Sequence, residues 1–97
     1  MSVLFIVSRL QDSQTVFKTA ERSARAGMKV MFLFTEGGCH HVTDRDLVAS
    51  LSYAEGLFCL KSDSQGLREK IDGGVKPIDY GGWIELIEAC DRIVSWA

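Results

Sequence analysis

The residues best suited to chemistry in this sequence are its three cysteines, Cys39, Cys59 and Cys90. Their number is odd and no two of them form a Cys-x-x-Cys pair, so we expect free thiols rather than a disulfide framework. Cys59 lies near the end of a predicted strand, two residues before Lys61 and just ahead of a predicted helix start. An ammonium group and a helix N-terminus both stabilise the thiolate, which is the nucleophilic form of cysteine. Cys59 is therefore the first candidate for a reactive thiol, and a small core residue is the alternative.

The second candidate is the run Cys39-His40-His41, which is followed by Asp44. It has three interpretations: a metal site, a cysteine–histidine nucleophile in a mobile loop, or an ordinary exposed loop. Adjacent side chains rarely converge on one metal ion, so a complete metal site would need ligands from elsewhere. The third cysteine is predicted to lie in the core, because it completes a stripe with helical spacing. That stripe consists of Trp83, Leu86, Ile87 and Cys90.

Apolar segments separated by helical patterns define the elements that position these residues. Five segments are predicted to be strands: Val3–Val7, Val30–Phe34, Leu57–Leu60, Val75–Ile78 and Arg92–Trp96. Unbroken apolar runs are typical of parallel strands that are covered on both faces. Strands alternating with helices predict one α/β domain over residues 1–97, a three-layer α/β/α sandwich with a five-stranded, mainly parallel sheet. Its functional crevice should lie beyond the carboxyl ends of the strands, where the first two candidates fall.

Two helix starts are also predicted from the types of residue that cap helices. The segment Thr43–Asp46 resembles a capping box, and Asp79 opens the last helix. Each start follows a segment that the sequence assigns to a strand or to a strand-end turn.

Composition excludes several classes of function. The 11 basic and 13 acidic residues leave a net charge of −2, which offers no footprint for direct binding to nucleic acid or an anionic membrane. No apolar run approaches the ~18–20 residues that span a bilayer. No basic region precedes the first apolar run as it would in a signal peptide, so a cytoplasmic location is expected. Because dinucleotide and phosphate-loop motifs are also missing, no cofactor is expected.

Four segments, taken in order, carry a resemblance to a known family. They are Ala24–Val30 with its glycine before the second strand, Phe34–Gly38 with its acidic-glycine turn, Gly56–Cys59, and Ile78–Trp96. Together they resemble the DsrE/DsrF/DsrH superfamily, which includes the TusB, TusC and TusD sulfur-relay proteins. The short length and the Ile-Asp-Tyr segment are similar to the DsrH/TusB branch, whereas the cysteine at position 59 is similar to the DsrE/TusD branch.

The resemblance implies a cytoplasmic protein that forms homo- or hetero-oligomers and works between a protein sulfur donor and a protein sulfur acceptor. Members of the relay group accept sulfane sulfur as a cysteine persulfide and pass it on without a cofactor. The family's sulfur-accepting cysteine matches Cys59, which leaves Lys61 as electrostatic support and Cys39 as a second, mobile thiol. The chain departs from the family pattern at Gln65, where arginine often precedes the glycine.

Three functions follow as hypotheses. The first is a persulfide carrier or sulfurtransferase that uses Cys59. The second is a non-catalytic oligomeric subunit that scaffolds or regulates a relay partner, and the third is a metal-binding domain that uses Cys39 and His41. Exposure of the Cys59 sulfur separates the first two, because a relay thiol must reach its donor.

Overall fold

Five parallel strands form one sheet in the computed structural model, which describes residues 1–9, 13–71 and 73–96. The strands are β1 (Ser2–Val7), β2 (Lys29–Phe34), β3 (Gly56–Leu60), β4 (Lys76–Ile78) and β5 (Arg92–Trp96). They lie in the order β4-β3-β2-β1-β5, and all four pairings are parallel. The predicted fold class is therefore confirmed, with a sheet that is wholly rather than mainly parallel.

Helices cover both faces of this sheet. They are α1 (Ser13–Arg25), α2 (Arg45–Ser50), α3 (Lys61–Ser64) and α4 (Tyr80–Ala89), with two 3₁₀ helices over Glu36–Thr43 and Gln65–Lys70. Successive side chains of a strand point to opposite faces, so β1 supplies both sides of the molecule. Val3, Phe5 and Val7 belong to the larger core beneath α1, whereas Leu4 and Ile6 belong to a smaller core on the face that α4 covers.

The last helix packs less completely than its sequence predicts. Trp83, Leu86 and Cys90 are partly buried against the smaller core, as the helical stripe predicts. Ile87 is exposed, so the prediction of a fully buried stripe is wrong at this position. Each helical residue is rotated by about 100° from the one before it, and the small patch of sheet under α4 covers only one side of the stripe. No residue of α4 is fully buried.

Candidate functional site at the carboxyl end of the sheet

Cys59 lies one residue before the end of β3, and its side chain is fully buried in the larger core. Its Sγ donates a hydrogen bond to the Ser64 hydroxyl at 3.8 Å, and that hydroxyl donates to the carbonyl of Leu60 at 2.9 Å. Burial raises the pKa of the Cys59 thiol. The hydrogen bond with Ser64 lowers this pKa, but its effect is smaller than that of burial. The protein therefore favours the neutral thiol, and the sulfur does not meet the requirement of exposure that the carrier hypothesis sets.

Cys39 is buried in the first 3₁₀ helix, so the interpretation of Cys39 as part of an ordinary exposed loop is wrong. Its Sγ donates to the carbonyl of Phe34 at 3.3 Å. Burial raises the pKa of Cys39 to about 12, and the neighbouring Cys59 and Asp63 act in the same direction. The thiol is held in its neutral, unreactive form.

Close packing of Gly38 explains why this segment is ordered against the sheet. A Cβ at position 38 would lie 2.1 Å from the carbonyl oxygen of Val7, a contact that real Cβ atoms do not make. The Gly38 N–H also donates to the Thr35 carbonyl at 2.9 Å. Gly38 therefore lets the first 3₁₀ helix approach the end of β1.

The structure brings the two buried thiols into one region. Phe34, whose carbonyl accepts the hydrogen bond from Cys39, is the cross-strand neighbour of Cys59 in the β2–β3 pairing. Both sulfurs thus lie at the carboxyl ends of adjacent strands, where the sequence predicts the functional crevice.

Lys61 lies outside this buried region and lines a small cavity. The cavity has a volume of about 170 Å³ and is lined by Lys61, Ser64, Gln65, Ile71 and Pro77. Ser64 links the cavity to the first candidate thiol, since it both lines the cavity and contacts the Cys59 sulfur. Of the predicted pair, Cys59 is therefore fully buried, whereas Lys61 is exposed and lines the cavity.

Ser64 and Asp63 are the site residues that sequence reasoning missed. Ser64 follows Leu60 by four positions, which is the spacing at which a helical hydroxyl reaches back to a carbonyl. Asp63 accepts a hydrogen bond from the Glu36 N–H at 2.9 Å, which ties α3 to the first 3₁₀ helix. Glu36 has a φ of 49°, a left-handed conformation that is uncommon for a residue other than glycine. The hydrogen bond between Glu36 and Asp63 therefore helps to hold together the first 3₁₀ helix, which contains Cys39, and α3, which contacts Cys59.

The two histidines have different environments. His40 is exposed, whereas His41 is half-buried beside the rings of Phe17 and Phe34, with centroid separations of 5.4 and 5.8 Å. The His41 Nε2 lies 3.2 Å from the carbonyl oxygen of Arg9. Burial lowers the pKa of His41, so the neutral ring is favoured.

The structure does not assemble a metal-ligand set from these residues. Within the described ranges, no group of three or more histidine, cysteine, aspartate or glutamate side chains is placed to hold a metal ion. The metal-binding hypothesis for Cys39 and His41 thus gains no support from the geometry.

Cys90 is the one cysteine that is not fully buried. It follows α4 as the C-cap residue, and its N–H donates to the carbonyl of Leu86 at 3.1 Å. Partial burial raises the pKa of its thiol, and a hydrogen bond with Ser2 opposes that shift. Cys90 therefore packs at the margin of the smaller core.

Comparison with known proteins supports the architecture. No protein-family model matches the sequence, and no curated protein matches it. Among solved structures, the crystal structure of the ychN protein from E. coli matches with a TM-score of 0.71 over 99% of each chain. This chain has the fold of that protein. The sequences are 6% identical, so the match shows a shared fold and leaves function to be argued from the site.

The helices give no sign of a membrane-spanning segment. In the part of the chain that the structure describes, none is both long and apolar enough to cross a bilayer.

Proposed function

We propose that this chain is a non-catalytic, oligomeric subunit of a DsrE-like sulfur-relay assembly, in which it scaffolds or regulates the subunit that carries sulfur. The relay context is supported by four segments between Ala24 and Trp96, whose order along the chain resembles the DsrE/DsrF/DsrH superfamily. The fold is consistent with that resemblance.

The burial of both candidate thiols is the observation that carries the non-catalytic role. In sulfur transfer a thiolate attacks the terminal sulfur of a donor persulfide, so the thiol must be both ionised and accessible. Cys59 and Cys39 are fully buried, and burial raises the pKa of each. A folded chain with these properties is poorly suited to accept sulfur directly.

A persulfide carrier that uses Cys59 is the second candidate, and the position of the cavity favours it. In that reaction the Cys59 thiolate would bond to the outer sulfur of a donor persulfide, and the donor would leave as a thiolate. Lys61 and Ser64 line a cavity, Ser64 also contacts the Cys59 sulfur, and both residues belong to α3, which has only four residues. This function requires α3 to move, because the Cys59 sulfur is fully buried and contacts Ser64 of that helix.

Mass spectrometry of the intact chain separates the two functions. The protein is incubated with a cysteine desulfurase and cysteine, and a parallel reaction without the protein, in which a small-molecule thiol accepts the sulfur, reports that the donor is active. We expect no stoichiometric adduct of about 32 Da, the mass of one sulfur atom, on the folded wild-type chain.

Cysteine variants assign any adduct that does form. A stoichiometric adduct overturns the non-catalytic proposal. Its loss in Cys59→Ser, with retention in Cys90→Ser, would establish the carrier function. Loss in Cys39→Ser or Cys90→Ser would instead assign the sulfur to that thiol.

A further inference from the structure

The C-terminal part of the chain carries most of the exposed apolar side chains. In the described ranges the large hydrophobic residues that are exposed are Met1, Tyr80, Ile84, Ile87, Ile93 and Val94. Five of these six belong to α4 and β5, and Ile84 is 57% exposed. The other long helix is ordinary by comparison, because α1 buries Val16, Phe17 and Ala20 and exposes polar residues such as Gln14. The exposed large apolar side chains are thus concentrated on the last two elements of the described chain.

β5 is an edge strand without the features that usually protect an edge. Within the described residues it pairs with β1 alone, so its outer backbone groups face away from the sheet. It has five residues, contains no proline and carries a single charge, that of Arg92. Proteins block pairing at exposed edges with short strands, proline, lysine or bulges.

The opposite edge of the same sheet is protected in that way. β4 has three residues, two of which are Lys76 and Pro77, and both are exposed. Proline removes a backbone donor, and lysine places a charge beside any approaching strand. The contrast within one sheet indicates that β5 is left open for pairing.

The sequence of β5 suits pairing with a second copy of itself. An antiparallel pair that uses all five residues is centred on Val94, which then faces the same residue of the second copy. Ile93 faces Ser95, and Arg92 faces position 96. The two guanidinium groups lie at opposite ends, separated by about 13 Å along the strands. No like charges face each other, and the exposed β-branched side chains form cross-strand contacts on both faces of the sheet.

The register with β1 shows that both faces of β5 would contribute. Ile93 is the partner of Leu4, on the face that α4 covers, whereas Val94 is the partner of Phe5, on the α1 face. A twofold axis through Val94, perpendicular to the sheet, places the α4 helices of both copies on one face of a sheet of ten strands. In each copy, α4 then lies on the same face of the sheet as Ile93.

We propose that β5 is the pairing edge of a twofold-symmetric homodimer, in which the β5 strands of two copies join antiparallel around Val94. The proposal rests on the proposed function for the expectation of an oligomeric subunit and goes beyond it, because it names a second copy of this chain as one partner and β5 as the contact surface. The contact is isologous and closes with two copies.

The mass of the full chain in solution tests this proposal. Sedimentation measurements over about 1 to 100 µM protein should show a dimer of the 10.8 kDa chain. Val94→Lys should give the monomer throughout, because two ammonium groups would face each other at the centre of the contact. Ile93→Lys should weaken the dimer from the other face of the strand. Gln14→Lys, which adds the same charge to the exposed side of α1, should remain dimeric.

Each outcome of these measurements decides the proposal. A wild-type chain that is monomeric throughout overturns it, as does an assembly that survives both lysine substitutions in β5. Circular dichroism and urea unfolding establish that each variant is folded. The persulfide assay and the sedimentation measurements test separate claims. A sulfur adduct overturns the proposed function whatever the oligomeric state, whereas only the sedimentation measurements can overturn the β5 contact.

Discussion

At the scale of single residues, the three cysteines show how environment separates chemically identical groups. Cys39 and Cys59 are fully buried at the carboxyl ends of adjacent strands, and Cys90 is partly exposed at the end of α4. Burial raises the pKa of all three thiols, and Cys90 alone is partly exposed, so we expect Cys90 to be the most accessible of the three.

We expect one thiol to react in the folded protein. Titration with a chromophoric disulfide at mildly alkaline pH should show a single early phase, from Cys90, and all three thiols should react after unfolding. Cys90→Ser should remove the early phase, whereas Cys59→Ser should leave it unchanged. An early phase that disappears in Cys59→Ser would show that α3 opens readily and would favour the carrier function.

The contact of Gly38 with β1 leads to a second prediction. Gly38→Ala should lower the free energy of unfolding by about 1–3 kcal/mol, because the new methyl group meets the backbone of Val7, which has little room to move. Gly66→Ala is the matched control, since nothing lies within 4 Å of a Cβ at that position. Urea unfolding of the two variants measures the difference. Equal stabilities would show that the first 3₁₀ helix is not packed as described.

At the scale of elements, side-chain caps define where the short helices begin. The Asp44 carboxylate accepts from the N–H groups of Asp46 and Leu47, so α2 is capped one residue later than the predicted capping box, which starts at Thr43. The Thr43 hydroxyl instead donates to the His40 carbonyl at 2.8 Å. The prediction that Asp79 opens the last helix is confirmed, because its Oδ1 accepts from the Gly82 N–H at 2.8 Å.

Removal of the Asp79 cap should destabilise the protein measurably. Asp79→Ala leaves an N–H group of the first turn of α4 without its side-chain partner and should cost about 1 kcal/mol. Glu88→Ala, an exposed acidic position in the same helix, should change stability by less than about 0.5 kcal/mol. Chemical unfolding of both variants provides the comparison, and an equal cost would argue against the capping role.

At the scale of the whole molecule, the sheet order determines which surfaces are available to partners. β1, β2 and β3 lie inside the sheet, and the edges are the protected β4 and the open β5. The two buried thiols lie in the larger core, beside the first 3₁₀ helix and α3, whereas most of the exposed large apolar side chains of the described residues lie on α4 and β5. A subunit that contributes contacts rather than a reactive thiol is consistent with this division.

Global stability should depend on pH through His41. Burial lowers the pKa of His41 below its ordinary value of 6.5, so the unfolded chain binds a proton more readily than the folded one. The contribution of the neutral His41 ring to the free energy of unfolding is fully present above pH 6.5. It is lost as the pH falls from 6.5 to the lower pKa of the folded state. Urea midpoints measured from about pH 8 to about pH 5 should therefore decrease toward acid.

Variants at the two histidines test this assignment. His41→Gln should flatten the decrease between pH 7 and pH 5, whereas His40→Gln, at the adjacent exposed position, should retain it. An unchanged slope in His41→Gln would assign the pH dependence to other groups.

The order of apolar runs and caps was sufficient to predict the α/β class, the five strands and the start of α4, because strand and helix patterns depend on residues close in sequence. It also placed Cys59 at the carboxyl end of β3. Sequence could not reveal that Cys59 and Cys39 are sealed, because Ser64, Asp63 and Gly38 act through contacts between separate elements. The exposure of Ile87 likewise depends on how little of the sheet α4 covers. Residue type and spacing determined the fold, and tertiary packing decided which of its surfaces are open.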